Sequence, residues 1–422
     1  MSSFMKKLLE QKAVQSKKIQ DKLRGEATSY MGDPALQWGV GGWIRGRGNL
    51  IYGPEKSGKS SVCMKAAGEE QKKTGGWVLI FDSEYNYKDP NEVDESGNLT
   101  EAATKARKRY NMAGLDPDKV FIISSNEVNV LFKDLSEFEK QIREGDLEVS
   151  AIIVDSWAGI QDEHAKNAIS EGEISKAGNK FGGTAKTMGP IMQSLLRLSA
   201  ENAVTLFIVQ HCIPNMDQYG PRWILLGGQK LKYLVHCALF VETVAAKDAG
   251  LLADGTTTKE NADGVRVGKK IRFRCEKSRE VVEGRKGEFW MNFETLEFAK
   301  PEESLFNLAT NLGIIGHPEV VELETVGPNK GQPKVDKKTG EPIKKINKMY
   351  WEFPVGAPTP QKFHGEAKTV EALKSDKDLF NAVYQACLSS TKESALTAGT
   401  EVSDIDDGDD AAPKKASGSK KK

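Results

Sequence analysis

Residues 53–60 read Gly-Pro-Glu-Lys-Ser-Gly-Lys-Ser. Every fixed position of the phosphate-binding pattern G-x-x-x-x-G-K-[ST] is met. The backbone N–H groups of such a loop can face an anion, and the helix that follows adds the partial positive charge of its N-terminus. Lys59 would reach the β- and γ-phosphates of a nucleoside triphosphate, and the Ser60 hydroxyl would ligate Mg²⁺. The candidate nucleotide contacts are therefore Gly53, Pro54, Glu55, Lys56, Ser57, Gly58, Lys59, Ser60 and Ser61. The alternative is a glycine-rich turn that matches by accident. Against it stands the context: an apolar strand candidate, Asn49-Leu50-Ile51-Tyr52, comes before, and a good helix start, Ser61 to Ala67, comes after.

Two carboxylates sit where a phosphate chemistry needs them. Trp77-Val78-Leu79-Ile80-Phe81 is a nearly continuous apolar run, as expected of a buried parallel strand, and it ends in Asp82-Ser83-Glu84. Glu84 at such a strand end can orient an attacking water, or it can simply cap the next turn. Ser150 to Val154 is a second apolar run ending in Asp155-Ser156. Asp155 would hold the Mg²⁺ shell with Ser60, a weak signal by itself that becomes strong when paired with the loop at 53–60. A third run, Val204 to Val209, ends in Gln210-His211. Gln210 can sense the γ-phosphate and pass its presence to the segment beyond. His211 has no clustered partners in the sequence and reads as structural or as part of that switch.

The remaining pattern supplies the elements that must position these groups. Short strands are expected at 120–123, 235–244, 269–275 and 287–293, and helices at 99–112, 130–142 and 187–202. Alternating strands and helices of this kind give an α/β fold with a central, mostly parallel sheet. Two loops leave neighbouring strands: a polar, glycine-rich stretch over 161–183, and Cys212 to Leu226. Lys176, Lys180, Arg222, Trp223 and Lys230 populate them or their ends, and such side chains can hold a nucleic-acid backbone and stack on bases. Ordinary surface loops or a peptide-binding edge are the competing readings. A hairpin loop is expected over 246–266, an exposed loop over 327–345, a short aromatic segment at 350–353, and a helix over 369–388.

The chain has 422 residues, with 60 basic and 60 acidic side chains. A balanced sum neither favours nor excludes a nucleic-acid partner, because distribution matters more. The cysteines at 63, 212, 237, 275 and 387 form no metal-binding spacing, which suits a reducing cytoplasm. No apolar run is long enough to span a bilayer and no signal peptide is recognisable, so no membrane association is expected. Four regions are expected: a helix-prone basic segment over 1–34, an ATPase core over 35–300, a small C-terminal domain over 301–400, and a charged tail over 401–422. The first segment is either a helix that packs on a neighbouring subunit or a solvated arm. In the tail, Asp404, Asp406, Asp407, Asp409 and Asp410 precede Lys414, Lys415 and Lys420 to Lys422. The acidic block could mimic DNA and compete for the basic loops, or serve only solubility.

Over about 35–300 the sequence resembles the RecA-like strand-exchange recombinases, bacterial RecA and the bacteriophage UvsX type. The resemblance is carried by Gly42 to Arg47 followed by Ile51 to Ser60, by Ile80-Phe81-Asp82-Ser83-Glu84, by Ile152 to Ser156 with Ala158, by Glu171-Gly172-Glu173-Ile174, by Phe207-Ile208-Val209-Gln210, and by Gly227 to Tyr233. It implies a RecA-like P-loop NTPase core that binds ATP and Mg²⁺, with Glu84 as the water-activating carboxylate. It implies a DNA-dependent ATPase whose copies form a helical filament on single-stranded DNA and exchange strands with duplex DNA. Lys277, with Arg279 second, would approach the γ-phosphate from the adjacent subunit. Single-strand-binding or filament-loading proteins enter as candidate partners. The protein would work in the cytoplasm, a host's if phage-encoded. The rival readings are a ring helicase, a regulatory recombinase paralogue, or a DNA-coating protein that keeps nucleotide binding as a switch. The 212–226 loop is short and neutral for the family, and 301–400 has no clear match.

Overall fold

The computed structural model describes residues 28–29, 31–160, 181–216, 222–226, 230–244, 249–261, 263–325, 329–336 and 339–390. β1 (Thr28–Ser29) pairs with β2 (Trp43–Ile44), and α1 (Pro34–Val40) lies between them. Asp33 caps α1: its Oδ1 accepts the amides of Ala35 and Leu36, and Pro34 takes the first helical position, where no amide is needed. The core then runs β3 (Gly48–Gly53), α2 (Lys59–Thr74), β4 (Trp77–Asp82), α3 (Glu101–Ala113), β5 (Val120–Ser124), α4 (Val128–Glu144), β6 (Val149–Asp155), α5 (Phe181–Asn202), β7 (Thr205–Pro214), β8 (Trp223–Leu225), α6 (Lys230–Leu234), β9 (Cys237–Thr243), β10 (Gly250–Leu252), β11 (Arg266–Lys277), β12 (Lys286–Asn292) and β13 (Glu297–Ala299).

These strands form one 11-stranded sheet in the order β13-β12-β11-β9-β3-β7-β6-β4-β5, with β10 on β11 and β8 on β7. From β9 to β5 the pairing is parallel, and β11, β12 and β13 continue it antiparallel. The apolar runs are continuous because both faces are covered. Ile51, Val78, Ile80, Ile153, Phe207, Val209, Leu239 and Val241 point to one apolar cluster, with Val62 and Met64 of α2. Their neighbours Leu50, Tyr52, Leu79, Phe81, Ile152, Val154, Leu206 and Ile208 point to the other, with Leu131 and Leu135 of α4 and Leu195 and Leu198 of α5. Two-residue periodicity thus persists inside runs that look uniformly apolar.

Beyond the sheet come α7 (Pro301–Asn311), β14 (Glu319–Val321), β15 (Lys344–Ile346), β16 (Tyr350–Phe353), β17 (Gln361–His364), α8 (Gly365–Ser375) and α9 (Lys377–Leu388). Leu305 and Phe306 of α7, Leu373 of α8 and Val383 of α9 share the first apolar cluster with Trp38 of α1 and Phe289 of β12. The Ser304 hydroxyl donates to the buried Asp33 Oδ1 at 2.8 Å and fastens α7 to α1.

Several local expectations need correction. Cys212 to Leu226 is not an open loop at its stems: β7 continues through Pro214, and residues 212–214 pair antiparallel with β8. The strand is prolonged by tertiary pairing, which no local signal around Pro214 announces. The hairpin loop expected over 246–266 contains β10, paired with the start of β11. The 327–345 stretch is drawn into short ladders by the β14–β15 pair and by bridges at Leu323–Pro333 and Val335–Pro342. The helix expected over 369–388 is two, because Asp376 leaves helical geometry and caps α9, accepting the amides of Asp378 and Leu379. Among the described residues, no helix is long and apolar enough to cross a membrane. All five cysteines are free and buried.

Candidate active site

The C-terminal ends of β3, β4, β6 and β7 lie side by side, and the chemistry-bearing residues emerge from them. This is the crevice in which open α/β sheets hold ligands. Gly53 ends β3 where a Cβ would lie 1.9 Å from the Val241 carbonyl oxygen, so only glycine lets β9 close on the loop. Gly58 holds φ +84° as the cap of α2, the left-handed region that glycine enters without strain. Between them, Glu55 and Lys56 are exposed, whereas Ser57 is buried with its hydroxyl unpartnered. Lys59 turns inward: it is buried, its ammonium donates to the Pro54 carbonyl at 2.6 Å, and desolvation lowers its pKa. The first amides of α2 have no partner within the helix and are available to an anion at that end.

Ser60 meets Asp155 as the motifs require, its hydroxyl close enough to draw the carboxyl's pKa down. Asp155 is 3% exposed, and burial pushes its carboxyl above the ordinary range against the pull of the Ser60 and Tyr87 hydroxyls. An orphaned buried hydroxyl, a cradle that a side chain would fill, and hard oxygen donors fit a triphosphate with its divalent cation. Ser60 and Asp155 are the residues that would hold the cation, which when bound would neutralise phosphate charge.

Glu84 follows β4 and is half-buried. Its Oε1 lies 2.7 Å from His211 Nε2 and accepts the Ser156 hydroxyl. The His211 hydrogen bond, helped by Ser156 and opposed by burial, brings the Glu84 carboxyl down to about 2. The group is thus ionised at neutral pH, a weak proton acceptor suited to aligning a water. The β4 and β6 ends are clamped together: the Ser83 amide donates to the Asp155 carbonyl at 3.0 Å, and the Ser83 hydroxyl donates to the Ser156 carbonyl at 2.7 Å. Gln210 is fully buried. Its Oε1 accepts the Ala158 amide at 2.9 Å, and its Nε2 donates to the Leu226 carbonyl at 2.7 Å. One side chain therefore joins the segment after β6 to the segment after β8.

The other candidates are more scattered. Arg222 is exposed, with its guanidinium 5.6 Å from the Trp223 ring centre. Trp223 is half-buried and donates from Nε1 to Glu242 at 3.3 Å. Lys176, Lys180 and the side chain of Lys230 lie outside the described residues. Lys277 and Arg279 are not brought to the phosphate loop of their own chain. Lys277 pairs with Ala238, and Ala238 with Leu50, toward the start of β3. The Lys277 ammonium there donates to the Lys232 and Tyr233 carbonyls, each at 2.8 Å.

Sequence reasoning missed Tyr87, Ser83 and Ser156, and left His211 without partners. The structure supplies that partner in Glu84, from a strand two places away in the sheet. The only signal available was the polar pair that follows each apolar run: Ser83-Glu84, Asp155-Ser156 and Gln210-His211.

A model of the RecA N-terminal domain family matches residues 17–259. Protein RecA of Chlorobaculum parvum is 30% identical over 231 residues, which is 54% of this chain and 58% of that one. Protein RecA of Chloroherpeton thalassium is 31% identical over 230 residues, 54% of this chain and 55% of that one. Protein RecA of Clostridium botulinum is 29% identical over 258 residues, 61% of this chain and 60% of that one. The chain thus spans 55% to 60% of the length of these relatives.

Proposed function

The chain belongs to the RecA N-terminal domain family, and from that premise we propose that it is an ATP-dependent DNA recombinase that assembles on single-stranded DNA. In this reading ATP with Mg²⁺ occupies the loop at 53–61, with Ser60 and Asp155 on the cation. Glu84 orients the attacking water, and Lys59 stabilises charge developing on the phosphates. Lys277 and Arg279 serve the nucleotide of a neighbouring copy, and residues 1–34 dock on that neighbour. The core over 35–300 hydrolyses ATP. The segments at 161–183 and 212–226, with Lys176, Lys180, Arg222, Trp223 and, just past the second, Lys230, follow single-stranded DNA and admit a duplex for pairing.

The observation that carries the reading is Gln210. Its amide ties Ala158 to Leu226, the bases of both candidate DNA segments, one residue from the His211 that holds Glu84. A change at the terminal phosphate can therefore reach both segments through one side chain. The test is electron microscopy of the full chain with single-stranded DNA, with and without a non-hydrolysable ATP analogue. Nucleotide-dependent helical filaments support the reading. Closed hexamers would point to a ring helicase, and ATP turnover indifferent to single-stranded DNA would overturn the proposal.

A further inference from the structure

The turn after β4 brings a second side chain, besides Glu84, to the end of β6. Tyr87 is buried, its ring in the apolar cluster with Ala106 and Tyr110, and its hydroxyl donates to Asp155 Oδ2 at 2.7 Å. The Ser60 hydroxyl lies close enough to both partners of that contact to pull their titration downward. The turn is held by Asp82, which is fully buried. One Asp82 oxygen accepts the Tyr87 amide at 2.8 Å, and the other accepts those of Asn86 and Glu84 at 3.1 and 3.3 Å. A single carboxylate thus sets the positions of Glu84 and of the Tyr87 hydroxyl together.

Resting on the nucleotide reading above, we propose that Tyr87 is a positioning residue for the divalent cation: its hydroxyl fixes one oxygen of Asp155 and leaves the other turned toward the cation's shell. A carboxylate with neither oxygen fixed must be ordered when the cation arrives, and that ordering is lost from the affinity. Fixed in advance, it presents one hard donor at a set angle beside Ser60. Hydrogen-bond partners of metal ligands typically contribute about 10- to 100-fold in metal affinity. Packing alone would be served as well by a ring without a hydroxyl, so the oxygen is what the proposal turns on.

The experiment compares the full chain with Tyr87→Phe, measuring binding of a fluorescent ATP analogue across a Mg²⁺ titration and in EDTA. The expected result is unchanged affinity in EDTA and a Mg²⁺ midpoint raised about tenfold or more. In an Asp155→Asn background Tyr87→Phe should add nothing, because the hydroxyl acts through that carboxylate. Tyr87→Met, which fills the cluster without a hydroxyl, should repeat the shift and guards against a folding defect in the first variant. An unchanged midpoint in either folded variant, or an equal loss with and without Mg²⁺, overturns the proposal. If the parent protein binds no nucleotide in either arm, the nucleotide reading fails and takes this inference with it, an outcome distinct from a parent whose Mg²⁺ dependence survives in Tyr87→Phe.

Discussion

His211 Nε2 stands 2.7 Å from Glu84 Oε1, and the His211 carbonyl accepts the Leu226 amide at 3.1 Å. One residue thereby touches the carboxylate at the end of β4 and the strand hairpin that extends β7. Its side chain and its backbone serve different neighbours, and substitution can separate them.

Glu84→Gln keeps the size of the side chain and removes its charge. ATP binding should persist, while turnover falls by roughly 10²- to 10⁴-fold, the usual contribution of a positioned base. Parallel measurement of nucleotide affinity and hydrolysis checks this. Turnover equal to that of the parent would show that the water is activated elsewhere.

His211→Ala deletes the largest influence holding the Glu84 carboxyl at about 2. With it gone, burial has less opposition and the carboxyl rises toward its ordinary 4.5. The sign follows: Glu84 protonates at higher pH, so the acid limb of the hydrolysis profile moves upward. A profile recorded from pH 3 to 8 reads the shift as an acid limb that enters this range in the variant and not in the parent. Superimposable acid limbs would deny Glu84 its part in the rate.

Gln210→Ala cuts the tie between Ala158 and Leu226 and leaves β7 to its backbone ladder. Nucleotide and DNA should each still bind, but the effect of nucleotide on DNA affinity should largely vanish. Allosteric couplings of this kind are commonly about 5- to 150-fold. DNA binding measured with ADP and with a non-hydrolysable ATP analogue gives the ratio directly, and an intact ratio would place the coupling in other contacts.

Asp33 is fully buried, and desolvation raises its carboxyl to about 7 in spite of the Leu36, Ser304 and Ala35 hydrogen bonds. Unfolded, it would titrate near 3.8. A raised folded value means that its contribution is present in full below 3.8 and is lost as pH climbs toward 7. Each unit of difference is worth about 1.4 kcal/mol, so the loss amounts to at most a few kcal/mol. Asp33→Asn keeps the acceptor that caps α1 and removes the titration. Urea midpoints at pH 5 and pH 8 should therefore lie closer together in the variant than in the parent.

Much of the fold and of the site was legible because the chemistry is local in sequence. Gly53 to Ser60 must be contiguous to wrap a phosphate, and Glu84, Asp155 and Gln210 each close an apolar run that only a doubly covered strand would have. Tyr87 was not legible: it lies among the polar residues of a loop, and nothing in that stretch says that Asp82 will fold its backbone back on itself. The tie between Glu84 and His211 was hidden because β6 comes between β4 and β7 in the sheet, an order that no local pattern encodes. The β7–β8 hairpin escaped notice because Ile213 and Ile224 face each other while exposed, so hydrophobic burial leaves no trace of the pairing.

The location of Lys277 has an outcome that can be read from dilution alone. Its partner Ala238 aligns with Leu50, so it sits about 10 Å along the strand direction from Gly53 at roughly 3.3 Å per residue, with its ammonium occupied by the end of α6. If hydrolysis calls on that cation from a second copy, specific activity must decline as the protein is thinned, even with ATP saturating. Mixing in a hydrolysis-dead chain with an intact Lys277 would then rescue a Lys277→Ala chain that is inert by itself.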